Sequence, residues 1–189
     1  MRLYILLFVA ISLNSFSQNI AKLEENNGFR EIKLGSEISN YPFAIKPDKG
    51  SNLFNVYVYR DHYNFEYDYN YVIDRSNKNY EKLDNEKILG VYLSVFRGKI
   101  REICVVSEYS PSTFVTLKRV FGEPTSFGFQ WSGKNIYCHY LEPSYSYGKP
   151  VITTIIFTDK LLDIQFDEEN YIREKAEEEK EQKRVNSKF

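Results

Sequence analysis

The reactive side chains of this chain are few, and their spacing limits what they can do. His62 and His139 are its two histidines, and Cys104 and Cys138 its two cysteines. Cys138 and His139 are neighbours, the residue types of a thiol nucleophile and its base. They fall in a run, Asn135 to Leu141, that reads as a strand. Adjacent strand residues point to opposite faces, so the two side chains cannot easily meet. No Gly-x-Ser-x-Gly elbow marks a serine nucleophile. Asp61, His62, Glu66 and Asp68 offer metal-ligand atoms, and the last three share one face of an unbroken strand. Their spacing fits no calcium loop, and a solvated polar strand face accounts for them. The sequence thus assigns no catalytic, cofactor-binding or metal-ligating residue, and implies no cofactor.

The aromatic residues are the better candidates for function. Aromatics make up 16% of the chain, with 16 Tyr and 14 Phe. Tyr57, Tyr59, Tyr63, Phe65, Tyr67, Tyr69 and Tyr71 occupy odd positions, with polar residues at the even positions from Arg60 to Asn70. This period of two predicts one long strand, or a hairpin bending near Asp61-His62. Tyrosine joins a large apolar face to a hydroxyl and suits half-wet interfaces. Tyr63, Tyr67, Tyr69 and Tyr71, with Tyr145 and Tyr147 of the Pro- and Gly-containing stretch 142–150, are the candidate partner-binding residues. The competing reading makes the same ladder the inner face of an amphipathic sheet.

The elements that must position these residues follow from punctuation and periodicity. Ser110 suits a helix N-cap and Pro111 the first helical position. Gly122 and Pro124 stop that helix, and Phe114, Leu117 and Phe121 share its apolar face. Val91–Phe96 and Ile100–Val106 flank Arg97-Gly98-Lys99, and Ile152–Phe157 and Leu161–Phe166 flank Thr158-Asp159-Lys160. Both read as hairpins. With three-residue turns, one apolar face is Val91, Leu93, Val95, Arg101, Ile103 and Val105. The other is Ile152, Thr154, Ile156, Leu162, Ile164 and Phe166. An offset of about 61 residues maps one onto the other, the mark of an internal repeat. A two-residue turn at Gly98 is the alternative, and it would exchange the faces. Phe127–Trp131 and Asn135–Leu141 predict a further hairpin around Ser132-Gly133-Lys134. Phe29–Leu34 predicts a first strand after a loose or weakly helical stretch 18–28. A short helix follows from Ser36, and 74–87 read as a loop or small helix. From Asp167 the chain is charged and predicts a solvated C-terminal helix, with Glu169–Arg173 and Glu179–Lys183 spaced for i,i+4 pairing.

Residues 1–17 read as a secretory signal, with Arg2, a short apolar run and small residues ahead of a cut before Gln18. An uncleaved anchor is the alternative, disfavoured because the apolar run is shorter than the roughly 20 residues a span takes; cleavage would place the mature chain in the periplasm or outside the cell. There Cys104 and Cys138 either pair across neighbouring strands or remain buried thiols. The net charge of −1 gives no electrostatic footprint for nucleic acid. No transmembrane segment is expected after signal removal.

Val120-Phe-Gly-Glu-Pro124, Trp131-Ser-Gly-Lys134 and Ile155–Ile164 together resemble the repeat of small bacterial envelope proteins typified by beta-lactamase inhibitor protein and the outer-membrane-assembly lipoprotein SmpA/OmlA. Leu34-Gly-Ser36 would begin a first copy. That resemblance implies binding rather than catalysis. The chain lacks the lipid-attachment cysteine of the assembly lipoproteins.

The expected fold is α+β: a mainly antiparallel sheet of hairpins packed by short helices, in two unequal α-plus-β repeats (18–109, with an insertion, and 110–166) and a charged tail (167–189). The expected function is a secreted or periplasmic non-enzymatic binding module, an inhibitor or an envelope-assembly accessory, for a protein or envelope-glycan partner. The alternative is an envelope-polymer hydrolase using acidic residues in 61–74.

Overall fold

A computed structural model of the chain describes residues 20–46, 70–74, 76–83, 85–125, 129–141 and 151–186. The fold is α+β. A helix over 20–26 (α1) leads into a small hairpin, Gly28–Phe29 (β1) and Ile32–Lys33 (β2). The main sheet is built from Ala44–Ile45 (β3), Tyr71–Ile73 (β4), Lys82–Leu83 (β5), Glu86–Phe96 (β6), Lys99–Glu108 (β7), Gln130–Ser132 (β8), Ile136–Leu141 (β9) and Ile152–Asp159 (β10). Its order is β3-β4-β6-β7-β10-β9-β8, with β5 pairing the start of β6, and every pairing is antiparallel. Two further helices complete it, Pro111–Phe121 (α2) and Lys160–Asn186 (α3). No described helix is long and apolar enough to cross a membrane.

The punctuation around α2 behaves as expected. Ser110 is extended and its hydroxyl accepts from the Ser112 N–H, Pro111 opens the helix, and Gly122 ends it at φ 84°. Leu117 and Phe121 are buried, and Phe114 packs edge-on to Phe129 with ring centroids 4.7 Å apart. Trp131, fully buried, donates its indole N–H to the Gly122 carbonyl at 2.8 Å. The helix stop and the β8–β9 hairpin are thereby tied together. Glu24 of α1 closes the same end, accepting from the Asn135 amide at 2.7 Å.

The β6–β7 hairpin turns on two residues, Arg97 (φ 50°) and Gly98 (φ 82°), both left-handed as a type I′ turn requires. The two-residue turn would have exchanged the faces. An irregularity in the pairing between Ser94 and Val95 undoes that exchange, leaving Arg101 as the extra residue. Val91, Leu93, Val95, Ile103 and Val105 therefore share the core face as predicted, with Ile100 joining them. Arg101 does not: it lies on the opposite face, donating to the Ser94 hydroxyl at 3.0 and 3.2 Å.

Leu161–Phe166 is not a strand. Asp159 ends β10 and accepts from the backbone N–H groups of Leu161 and Leu162, both at 3.0 Å. That N-cap starts α3 at Lys160, seven residues before the predicted Asp167. The second hairpin, and with it the 61-residue correspondence of faces, is absent. On β10 the core face is Ile155 and Phe157, with Thr153 on the same side. Ile156 belongs to a second cluster with Tyr92, Cys104 and Val106 on the other side of the sheet. Phe29–Leu34 likewise folds back as the β1–β2 hairpin rather than one strand. The predicted short helix after Ser36 is a single 3-10 turn, Ile38–Asn40, and another spans Lys78–Tyr80.

Candidate functional site

Of the aromatic ladder, Tyr71 alone lies among the described residues. It is half-buried on β4 and packs against the main core. Tyr63, Tyr67, Tyr69, Tyr145 and Tyr147 lie outside the described residues, as do Asp61, His62, Glu66 and Asp68. Asp74, the last acid of the 61–74 segment, accepts from the Ser76 N–H at 2.8 Å. Hydrogen bonding from Ser76, through its backbone N–H first and its side chain second, holds the Asp74 carboxyl below the usual range.

The reactive groups are dispersed. Cys138 is fully buried in the main core, and burial pushes its thiol well above the ordinary range. His139 points the other way and stacks on Tyr137, with centroids 6.4 Å apart. Cys104 is also a buried thiol, and no disulfide joins the two. Strand β10 runs between their strands, with Ile156 opposite both Cys104 and His139 and Phe157 opposite Cys138. Two strand spacings amount to roughly 9.6 Å, beyond the reach of a disulfide. No group of three or more His, Cys, Asp or Glu able to hold a metal gathers among the described residues.

The site emerges elsewhere, where the β1–β2 hairpin meets β5. The β1–β2 turn places Arg30 at φ 55°, a left-handed conformation costing a non-glycine residue roughly 1–2 kcal/mol. Its guanidinium lies 5.4 Å from the Phe29 ring centroid and 5.6 Å from that of Tyr80, and donates to the Lys82 carbonyl. Lys33 on β2 donates to the Asn26 carbonyl. Both cations are thus held by neutral carbonyls, and neither has a carboxylate at ion-pair distance among the described residues.

Arg30 edges one cleft, and its neighbours Tyr80 and Lys82 line a second. The larger, about 560 Å³, lies along β6 from Lys87 to Val91, between the end of β4 and the Tyr80–Lys82 segment. Ile73, Tyr80, Ile88 and Val91 form its walls, and Asp74, Glu81, Lys82 and Lys87 its charged rim. Tyr80 is buried, and that burial, with Glu31 alongside, lifts its phenol well above the ordinary range. The smaller cleft, about 220 Å³, has Phe29, Leu83, Leu117, Phe121, Ile155 and Phe157 as its floor and walls, with Arg30 and Lys33 at its edge. Gly28 makes the hairpin's approach possible. It sits at φ 137°, and a Cβ there would lie 2.2 Å from the Ile32 carbonyl oxygen.

Sequence reasoning did not find Arg30, Lys33 or Tyr80. The Asn27-Gly28 pair marks the end of α1, where the Asn27 N–H donates to the Leu23 carbonyl, and not the Arg30-Glu31 turn. The partner of Arg30, Lys82, lies 52 residues away, and no local pattern brings them together. Comparison with protein-family models, with curated proteins and with solved structures finds no match to this chain.

Proposed function

We propose that the chain is an exported, non-enzymatic binding module that meets its partner on the face formed by the β1–β2 hairpin, Tyr80 and β5. One observation carries this reading. Two clefts on this side, one edged by Arg30 and Lys33 and one lined by Tyr80 and Lys82, set charged side chains over a mostly buried apolar floor, the composition of a binding pocket. Both thiols, by contrast, are buried within the sheet. Export rests on the signal-like character of residues 1–17, and the partner is a protein or an envelope component.

The test is capture from envelope extract by the mature chain, by an Arg30→Gly/Lys82→Glu variant and by a Tyr67→Ala/Tyr69→Ala variant. The reading expects a partner retained by the ladder variant and lost from the Arg30 variant, with circular dichroism unchanged. Equal capture of the same partner by the Arg30 variant and the native chain rules this face out.

A further inference from the structure

Resting on that binding reading, we propose that the smaller cleft is a site for a small amphiphilic anion. Its ligand class is an aromatic or short-chain carboxylate, with the apolar part on the ring-lined floor and the carboxylate between Arg30 and Lys33.

Size sets the first limit. An apolar cavity of about 150 Å³ accepts a benzene ring. The cleft, at about 220 Å³, has room for a ring carrying a short side chain. Its floor favours a ring. Phe121 stands edge-on to Phe157 with centroids 6.5 Å apart, and Phe29 lies 6.4 Å from Phe157. An added ring extends that cluster in the offset and edge-to-face geometries aromatic groups prefer.

Charge sets the second. Arg30 and Lys33 donate to the carbonyls of Lys82 and Asn26, and neither has a carboxylate at ion-pair distance among the described residues. An arriving carboxylate gains charge-assisted hydrogen bonds without first displacing an acidic side chain. The larger cleft lacks this bias, since Asp74 and Glu81 share its rim with Lys82 and Lys87. Arg30 also occupies a left-handed turn position that glycine would fill without strain.

The experiment uses the full mature chain and 3-phenylpropanoate as probe, followed by titration calorimetry and amide chemical-shift mapping. The neutral 3-phenylpropanol and acetate serve as controls, one lacking the charge and the other the ring. Saturable binding of 3-phenylpropanoate with shifts at Phe29, Leu83 and Ile155, and at least about tenfold weaker binding of both controls, supports the site. Arg30→Gly/Lys33→Gln is expected to fold, because glycine accepts the turn, and to weaken the probe by about tenfold or more. Leu83→Trp, which fills the cleft from half-buried β5, should abolish binding. The proposal is overturned if 3-phenylpropanol binds as well as the acid, if the double variant binds undiminished, or if the probe does not bind. A partner captured through Arg30 and Lys82 alongside a silent probe would reject this ligand class and leave the binding reading standing.

Discussion

Arg101 of β7 and Asp163 of α3, 62 residues apart in the chain, form an ion pair on the side of the sheet away from α2. The Arg101 guanidinium also lies 4.0 Å from the Phe166 ring centroid, and Phe166 meets Phe96 edge-on at 5.5 Å. Farther along, Arg97 of the β6–β7 turn reaches Glu169 at 2.7 Å. These contacts seat the first turns of α3. Glu169 turns to the sheet rather than to Arg173, which instead donates to Asn170 at 2.9 Å.

The Arg101–Asp163 pair should matter more as an obligation than as a gain. Burial lifts the Asp163 carboxyl above the usual range, against the pull of Arg101. Asp163→Asn leaves Arg101, 6% exposed, without its counter-charge. The expected loss is about 1–3 kcal/mol, discounted for the 32% exposure of the Asp163 side chain. Arg101→Met/Asp163→Leu, which removes both charges, should unfold within about 1 kcal/mol of the native chain. Urea denaturation checks both. If the double variant is no better than the single one, the pair is itself a net source of stability.

The buried phenol of Tyr80 gives the protein an alkaline limit. Its folded pKa lies above the ordinary 10.0, so the folded chain retains a proton that the unfolded chain releases. Stability therefore falls as pH rises above about 10, the ordinary tyrosine value. Cys138 acts in the same direction above its ordinary 9.0. Tyr80→Phe should match the native chain near pH 8 and exceed it near pH 11, read as the midpoint of thermal unfolding. A constant offset between the two across that range would remove Tyr80 as a cause.

The two thiols should be silent in the folded state. Cys104 and Cys138 are both 0% exposed, and the thiolate is the reactive form. Alkylation by iodoacetamide should proceed at the rate of unfolding, for both residues alike. Reducing agent should leave the melting temperature unchanged. A mobility shift on reduction, or a covalent Cys104–Cys138 peptide in a digest, would contradict the strand order β7-β10-β9.

What the sequence makes legible is local. α2 follows from Ser110, Pro111 and Gly122, each of which acts on its immediate neighbours. Leu161–Phe166 fits two periods at once. Its apolar residues Leu162, Ile164 and Phe166 alternate, while Leu162 and Phe166 also stand at i,i+4. Asp159 decides between them by capping the helix, and a turn reading of Thr158-Asp159-Lys160 hides that role. The register of β6–β7 was legible only in part, because a two-residue turn and a bulge cancel for every core position except Arg101, whose place Ile100 takes. The site around Arg30 was not legible at all. It exists because a carbonyl on β5 and a ring on the Lys78–Tyr80 turn come to the β1–β2 hairpin from 50 residues away.

The two ends of α3 should differ sharply in what they contribute. At about 1.5 Å per residue its 27 residues extend roughly 40 Å. Every residue from Tyr171 to Asn186 is exposed. Ending the chain at Arg173 should reduce the helical signal in circular dichroism yet shift the melting temperature by less than about 2 °C, because no buried contact is lost. Asp159→Ala removes the acceptor for two N–H groups at the other end and should cost about 1 kcal/mol, a shift of about 2–4 °C. The cap acts where Leu162, Asp163 and Phe166 must be presented to the sheet, so its loss loosens the seat as well as the first turn. A truncated chain that melts as early as the Asp159 variant would show that the exposed half of α3 supports the fold through contacts this arrangement does not contain.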